Sequence, residues 1–304
     1  EHERIWGISH FYEHMFFKGT EKRGVGEIDR AVKALGGYNN AFTSQEYTAY
    51  YVVLPSENFS LAADVLVDAI RNSKFPEEEI KKELGVITEE INRKEDDPTG
   101  KLYEELFKIM FPGTPYAHPV LGTKQSIAGL TREDFRDYLA TFYAPNNMTA
   151  VVVGDVKSDE AIREIERLTK DWLPNPDIRK NADIVVGDGP GGIRGFTLEK
   201  DVNMSYVVLA FKTSGLSNQR ENAVMDVVST MAGEGRSSRL YKRIVEKEQI
   251  ANSVSAFIHP MRHTGIFAVS GTMDRENVPK FRDAVLDEVS RSEERRVGKE
   301  CRSR

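Results

Sequence analysis

Cysteine is almost absent from this chain of 304 residues. The single thiol, Cys301, lies near the C-terminal end, so no internal disulfide can staple the fold. Long apolar runs are missing as well; none approaches the roughly 20 residues that a bilayer-spanning helix needs. There is no excess of positive charge: 42 Lys and Arg stand against 48 Asp and Glu, a formal net charge of −6, which argues against nucleic acid as the main partner. What is present is ordinary for a globular protein. Hydrophobic residues make up 39%, charged residues 30% and aromatic residues 9%, enough apolar side chains for a sizeable core. At roughly 150 residues per domain, the length predicts two domains.

The chain starts at Glu1 rather than Met, and the expectation is that further sequence precedes it. The lack of a signal peptide then carries no information on export. At the other end, residues 291–304 (RSEERRVGKECRSR) have no apolar periodicity and resemble the translation of a common sequencing adapter; the alternative is a natural basic tail. The tail holds six Lys and Arg and three Glu. Leaving it out moves the formal charge from −6 to −9 and removes the cysteine.

Hydrophobic spacing predicts helices over residues 7–18, 25–35, 60–72, 77–96, 101–110, 135–142 and 161–172. Thr131 with Asp134 marks a helix start, and three acidic residues after Pro76 suit the positive end of a helix dipole. Strands are predicted over 40–54 and 148–153. Residues 174–195 are rich in Pro and Gly and read as a linker. After it, strands are predicted over 195–200, 202–212, 253–258 and 265–272, with helices over 220–231, 237–248 and 278–290. Mixed strands and helices on both sides of the linker indicate two α/β domains.

The densest chemistry is His10-Phe-Tyr-Glu-His14. Positions i and i+4 share one helix face, so two imidazoles can converge on one ion, and zinc suits imidazole nitrogen with a carboxylate oxygen. Glu13 sits beside His14, placed to take a proton from a metal-bound water. A catalytic zinc has three protein ligands and one open position, so a third ligand must come from elsewhere. The segment 83–91 (ELGVITEEI) offers one: Glu83 and Glu90 are seven apart and share a helix face, while Glu89 points about 100° away. A solvated acidic face is the ordinary reading of such a run, but Leu84, Val86, Ile87 and Ile91 predict a partly buried helix.

With a glutamate 76 residues after His14, this pattern resembles the pitrilysin/insulinase family of zinc peptidases, the inverzincins, and within it the branch of mitochondrial and bacterial processing peptidases. The strings GISHFYEHMFFKGT (7–20), GGYNNAFTS (36–44) and GRSSRLY (235–241) and the Glu89-Glu90-Ile91 context carry the likeness, which runs from about residue 5 to 290. The resemblance implies an α+β fold of two homologous α/β sandwich domains, the second truncated. The domains would be a zinc-bearing catalytic domain at 1–180, a linker at 181–195 and a partial non-catalytic domain at 196–290. It implies one Zn2+ per chain held by His10, His14 and Glu90, with Glu13 as general base. Glu83 would orient a ligand histidine. Asn40 and Ala41 would begin the strand that pairs its edge with an extended peptide substrate. The activity implied is that of a metalloendopeptidase acting on unfolded peptides; the alternative is a non-catalytic structural or peptide-binding subunit of the same family.

One departure matters. The family's second domains usually carry an Arg and a Tyr seven apart that hold the substrate carbonyl. Aligned on residues 248–252, those positions are Val245 and Asn252, with Tyr241 and Arg243 nearby but off register. The expectation is a homologous partner subunit that supplies the Arg/Tyr pair, or a homodimer, with no nucleic-acid partner and no membrane span. A structural zinc site would need a fourth ligand, and none is apparent. Gly187-x-Gly-x-x-Gly192 lacks the following helix that a dinucleotide fingerprint requires and reads as linker. His259 and His263 flank Pro260 in a hairpin loop, His118 sits in a turn, and Gly233-x-Gly235 eases entry into the next helix.

Overall fold

The computed structural model describes residues 1–178, 184, 186–187 and 192–291. Most of the predicted linker at 181–195, and the tail beyond Arg291, lie outside the described residues. The chain divides into two compact units: Glu1–Asp96 with the described part of Gly113–Asp183, and Asp97–Pro112 with the described residues from Ile184 onward.

The first unit is organised by helix α1, Ile8–Phe16. Gly7 precedes it with φ +90°, and a Cβ there would meet the Leu121 carbonyl oxygen at 2.5 Å, so only glycine lets the 121–122 loop cross at this point. The Glu1 carboxylate accepts from the backbone N–H groups of Gly7 (2.8 Å) and Ser9 (2.9 Å), satisfying donors that the first turn would otherwise leave open. Ile8, Phe11, Tyr12, Met15 and Phe16 recur at helical spacing and are all buried in one core cluster with Ile28, Val65, Ile87, Ile127 and Phe135. Truncating one such aromatic costs about 3–5 kcal/mol, so this face fixes the rotation of α1 about its axis.

Around α1 stand α2 (Glu27–Ala34), α3 (Phe59–Asn72), α4 (Glu77–Asp96), the short α6 (Lys124–Ala128), α7 (Arg132–Phe142) and α8 (Ser158–Thr169), with α5 (Pro98–Met110) assigned to the second unit. The capping box at Thr131 is formed, its hydroxyl accepting from Asp134 N. Helix α4 carries Glu77, Glu78 and Glu79 in its first turn and Arg93 and Lys94 in its last, both matched to the helix dipole. Its buried stripe is Glu79, Glu83, Ile87 and Ile91, so two carboxylates enter the α1 packing face alongside two isoleucines.

Residues 40–54 form a hairpin rather than the one predicted strand. Strand β1 (Tyr38–Thr43) pairs antiparallel with β2 (Thr48–Val53), from Tyr38 opposite Val53 to Thr43 opposite Thr48. The turn has neither Gly nor Pro; Ser44 makes it, donating from its N–H and its hydroxyl to the Tyr47 carbonyl at 2.9 and 3.0 Å. Two other predicted strands are not formed. Residues 148–153 run irregularly, with Val151 and Val153 exposed at 78% and 92%, and residues 195–200 are likewise irregular. Neither has a pairing strand among the described residues, and β-propensity without a neighbour makes no ladder.

In the second unit, β3 (Ser205–Thr213), β5 (Gly265–Met273) and β4 (Ser253–Pro260) form an antiparallel sheet in the order β3-β5-β4. Against it pack α9 (Gln219–Gly233), a π-helical segment Tyr241–Lys247 and α10 (Val278–Arg291), burying Leu240, Ile244, Val269, Phe281 and Val285. Helix α5 belongs here although the sequence places it inside the 1–180 segment. Its Tyr103 and Phe107 rings lie 6.0 and 5.9 Å from Phe257 and His259. Both units run helix, helix, hairpin, a single 3-10 turn, helix, as expected of homologous domains.

Gln249 holds φ +52° just after the π-helical segment, a left-handed conformation that costs an L-residue about 1–2 kcal/mol. Gln249→Gly is expected to raise stability by about 0.5–1 kcal/mol and Gln249→Val to lower it, read as opposite shifts of the urea midpoint at unchanged m.

Candidate metal centre

With the apolar face of α1 turned into the core, His10, Glu13 and His14 fall on the flank facing α4 and the hairpin. His10 Nε2 and His14 Nε2 each lie 3.5 Å from Glu90 Oε2 on α4. The three side chains offer ligand atoms that all lie within 4.8 Å of one another, the one such cluster among the described residues. Glu89 points outward and accepts from Asn92.

The proton on His14 is set by its other nitrogen. Nδ1 lies 2.9 Å from Glu83 Oε2, and Lys18 Nζ lies 2.6 Å from the other Glu83 oxygen. Burial alone would raise the Glu83 carboxyl, but the hydrogen bonds from Lys18 and His14 outweigh it and hold the group below its usual range. An ionised carboxylate only accepts, so His14 Nδ1 donates to Glu83, and Nε2 is the nitrogen turned toward Glu90. His10 is different. Burial, His14 and Lys94 push its pKa down to about 4, so it is neutral at pH 7, and its buried Nδ1 has no partner among the described residues.

A cation between the two Nε2 atoms and the Glu90 carboxylate would be held by all three. The fit to zinc is good: nitrogen and oxygen ligands at about 2.0–2.2 Å in a tetrahedron stand roughly 3.4 Å apart, close to the two 3.5 Å separations here. With three donors, the fourth position stays open.

Glu13 is half-buried beside these groups. Burial raises its pKa and Glu90 adds to the rise; the Thr43 hydroxyl, hydrogen-bonded to its Oε2, and His14 oppose it, and the net shift is upward. Among the residues singled out from sequence, Asn40 and Ala41 lie on β1 with side chains on opposite faces, Asn40 exposed and Ala41 half-buried, and the register leaves the Ala41 backbone groups on the edge away from β2. His118 is outside the cluster, stacked on Trp6 at 5.3 Å. Sequence reasoning missed Lys18 and Thr43. Lys18 could have been found as the next i+4 position after His14; Thr43 needed the hairpin register.

Two outcomes follow from these contacts. In metal-free protein, an unfolded chain protonates His10 near pH 6.5 while the folded one resists until about pH 4. His10 therefore contributes its full stabilisation above pH 6.5 and loses it as pH falls toward 4, by up to about 3 kcal/mol. Urea unfolding between pH 7 and 4 should show a shallower loss in His10→Gln than in wild type. Glu83→Gln should loosen zinc by about 10- to 100-fold in chelator competition, because the carboxylate that orients His14 is gone.

Comparison with known proteins identifies the family of the chain. The family model described as insulinase (peptidase family M16) matches residues 1–124, and that described as peptidase M16 inactive domain matches residues 129–300. A protein of Rickettsia bellii described as an uncharacterized zinc protease is 30% identical over 95% of this chain and 68% of its own length. A probable mitochondrial-processing peptidase subunit beta of Arabidopsis thaliana is 29% identical over 96% of this chain and 56% of its own. The crystal structure of a protease from Helicobacter pylori has the same fold, with a TM-score of 0.89 at 24% identity over 96% of this chain and 72% of that one. With the signature strings, the mixed two-unit fold and matches along nearly the whole chain, the protein belongs to the M16, or insulinase, family of peptidases.

Proposed function

We propose that this chain is the zinc-bearing subunit of an endopeptidase that hydrolyses extended or unfolded peptides. The observation that carries the reading is the convergence of His10, His14 and Glu90 with Glu13 beside them. These three residues would hold one zinc ion. When bound, zinc supplies Lewis acidity toward a peptide carbonyl and toward water. Glu13 acts as the general base: its raised proton affinity makes it a stronger base than a surface glutamate, and it returns the proton to the leaving amine. Glu83 keeps His14 in the tautomer that leaves Nε2 free.

Substrate lies along β1. Its one partner among the described residues is β2; antiparallel alternation turns the N–H and C=O of Asn40 toward Tyr51 and those of Ala41 to the other edge, where an added strand can pair. Main-chain pairing is blind to side-chain identity and requires an extended chain, which favours unfolded segments of many sequences.

Near the aligned positions, Arg243 and Tyr241 of the second unit are already engaged. Arg243 is engaged by Glu248 (2.9 Å), Asp287 and Glu288 (3.3 Å), and Tyr241 and Val245 pack against the buried cluster. Asn252 donates its N–H to the Thr272 carbonyl. A homologous partner subunit then supplies the groups that hold the substrate carbonyl. The match of residues 129–300 to a domain described as inactive favours one further reading, a non-catalytic peptide-binding subunit.

Glu13→Gln should retain one zinc per chain by elemental analysis while turnover of an unstructured peptide falls by about 100- to 10,000-fold. Retained turnover in that variant would sink the assignment of the base. Normal cleavage by the full-length subunit purified alone would remove the need for a partner. Zinc-loaded protein that binds the peptide and never cleaves it, with or without its homologue, would establish the non-catalytic reading.

A further inference from the structure

We infer that Thr43 is a positioning residue for Glu13, and that it ties the orientation of the base to the strand on which substrate pairs. The inference rests on the peptidase reading above. Thr43 Oγ1 lies 2.5 Å from Glu13 Oε2 and 3.2 Å from Thr48 Oγ1. An ionised carboxylate has no proton to give, so Thr43 must donate to Glu13, and its oxygen is then free to accept from the Thr48 hydroxyl. The proton arrangement is thereby fixed in one direction, from Thr48 to Thr43 to Glu13. One carboxylate oxygen is held and the other is left for the proton that moves in the reaction.

The support behind Thr43 is rigid. Thr43 and Thr48 are direct cross-strand partners, the last pair before the turn. The turn is closed by Ser44 on the Tyr47 carbonyl and pinned from outside by Tyr116, whose hydroxyl donates to the Glu46 carboxylate. A β-branched side chain on a strand has few χ1 options, so the hydroxyl direction follows the backbone. Asn39, Ala41 and Thr43 alternate onto the half-buried face of β1, while Tyr38, Asn40 and Phe42 face outward. A peptide that pairs with the β1 edge therefore meets a base whose orientation is set by the same strand.

The test uses the full-length chain with its partner subunit, loaded with zinc, and an unstructured peptide. Thr43→Val keeps shape and removes the donor. It should lower kcat by about 10- to 100-fold with KM, zinc affinity and thermal midpoint near wild type, and Thr43→Ser should restore most of the loss. In a Glu13→Gln background, adding Thr43→Val should change neither the residual rate nor the affinity for the uncleaved peptide, since the group it positions is already altered. Thr48→Val should lower kcat less than Thr43→Val. If kcat of Thr43→Val stays within twofold of wild type while Glu13→Gln is inactive, the inference fails and the peptidase reading stands. If the loss comes with weaker zinc or peptide binding, Thr43 is structural and the inference also fails. Wild type that does not cleave at all overturns both.

Discussion

The metal centre depends on one constraint, the rotational setting of α1. Five apolar side chains, Ile8, Phe11, Tyr12, Met15 and Phe16, occupy a little more than two turns and are all buried. Each is worth about 1.5–3 kcal/mol against exposure, far more than any polar contact on the opposite flank. The core therefore decides where His10 and His14 point, and α4 has only to bring Glu83 and Glu90 to meet them. A rotation of α1 by one residue, about 100°, would bury an imidazole and expose a phenyl ring. The polar residues are held against one another because the apolar face leaves them no alternative.

Much of this was legible in the residues. Helical spacing named the α1 face, the position of Glu90 on the same side of α4 as Glu83, and the capping box at Thr131, because each is a local pattern with a period of 3.6. The strands were less legible. Residues 148–153 and 195–200 have strand composition, but a strand exists only where another lies beside it, and composition does not reveal the neighbour. The hairpin was hidden by a turn made by a serine side chain rather than by glycine or proline. Thr43 stayed invisible for the same reason, since its place against Glu13 follows from pairing with Thr48 and not from its position in the motif. The allegiance of α5 to the second unit rests on Tyr103 and Phe107 meeting rings more than 150 residues away in sequence.

The two units share an order of elements and put it to different use. In the first, the earlier of the two helices before the hairpin, α1, carries two imidazoles and a carboxylate, and the polar residues face one another across a small gap. In the second, the helical segment just before the hairpin closes on itself. Arg243 is locked to α10 by Asp287 and Glu288, and Asn252 takes part in the sheet edge. Charge in the first unit is arranged to receive something, whereas charge in the second is already neutralised.

The open edge of β1 has a cost that concerns concentration rather than catalysis. Most proteins blunt an unpaired strand with charge, proline or a bulge so that it cannot template another chain. Strand β1 reads Tyr-Asn-Asn-Ala-Phe-Thr and carries none of these guards. If, as proposed, substrate pairs with this edge, the backbone that receives it is also the one that could template the same strand of a neighbouring molecule.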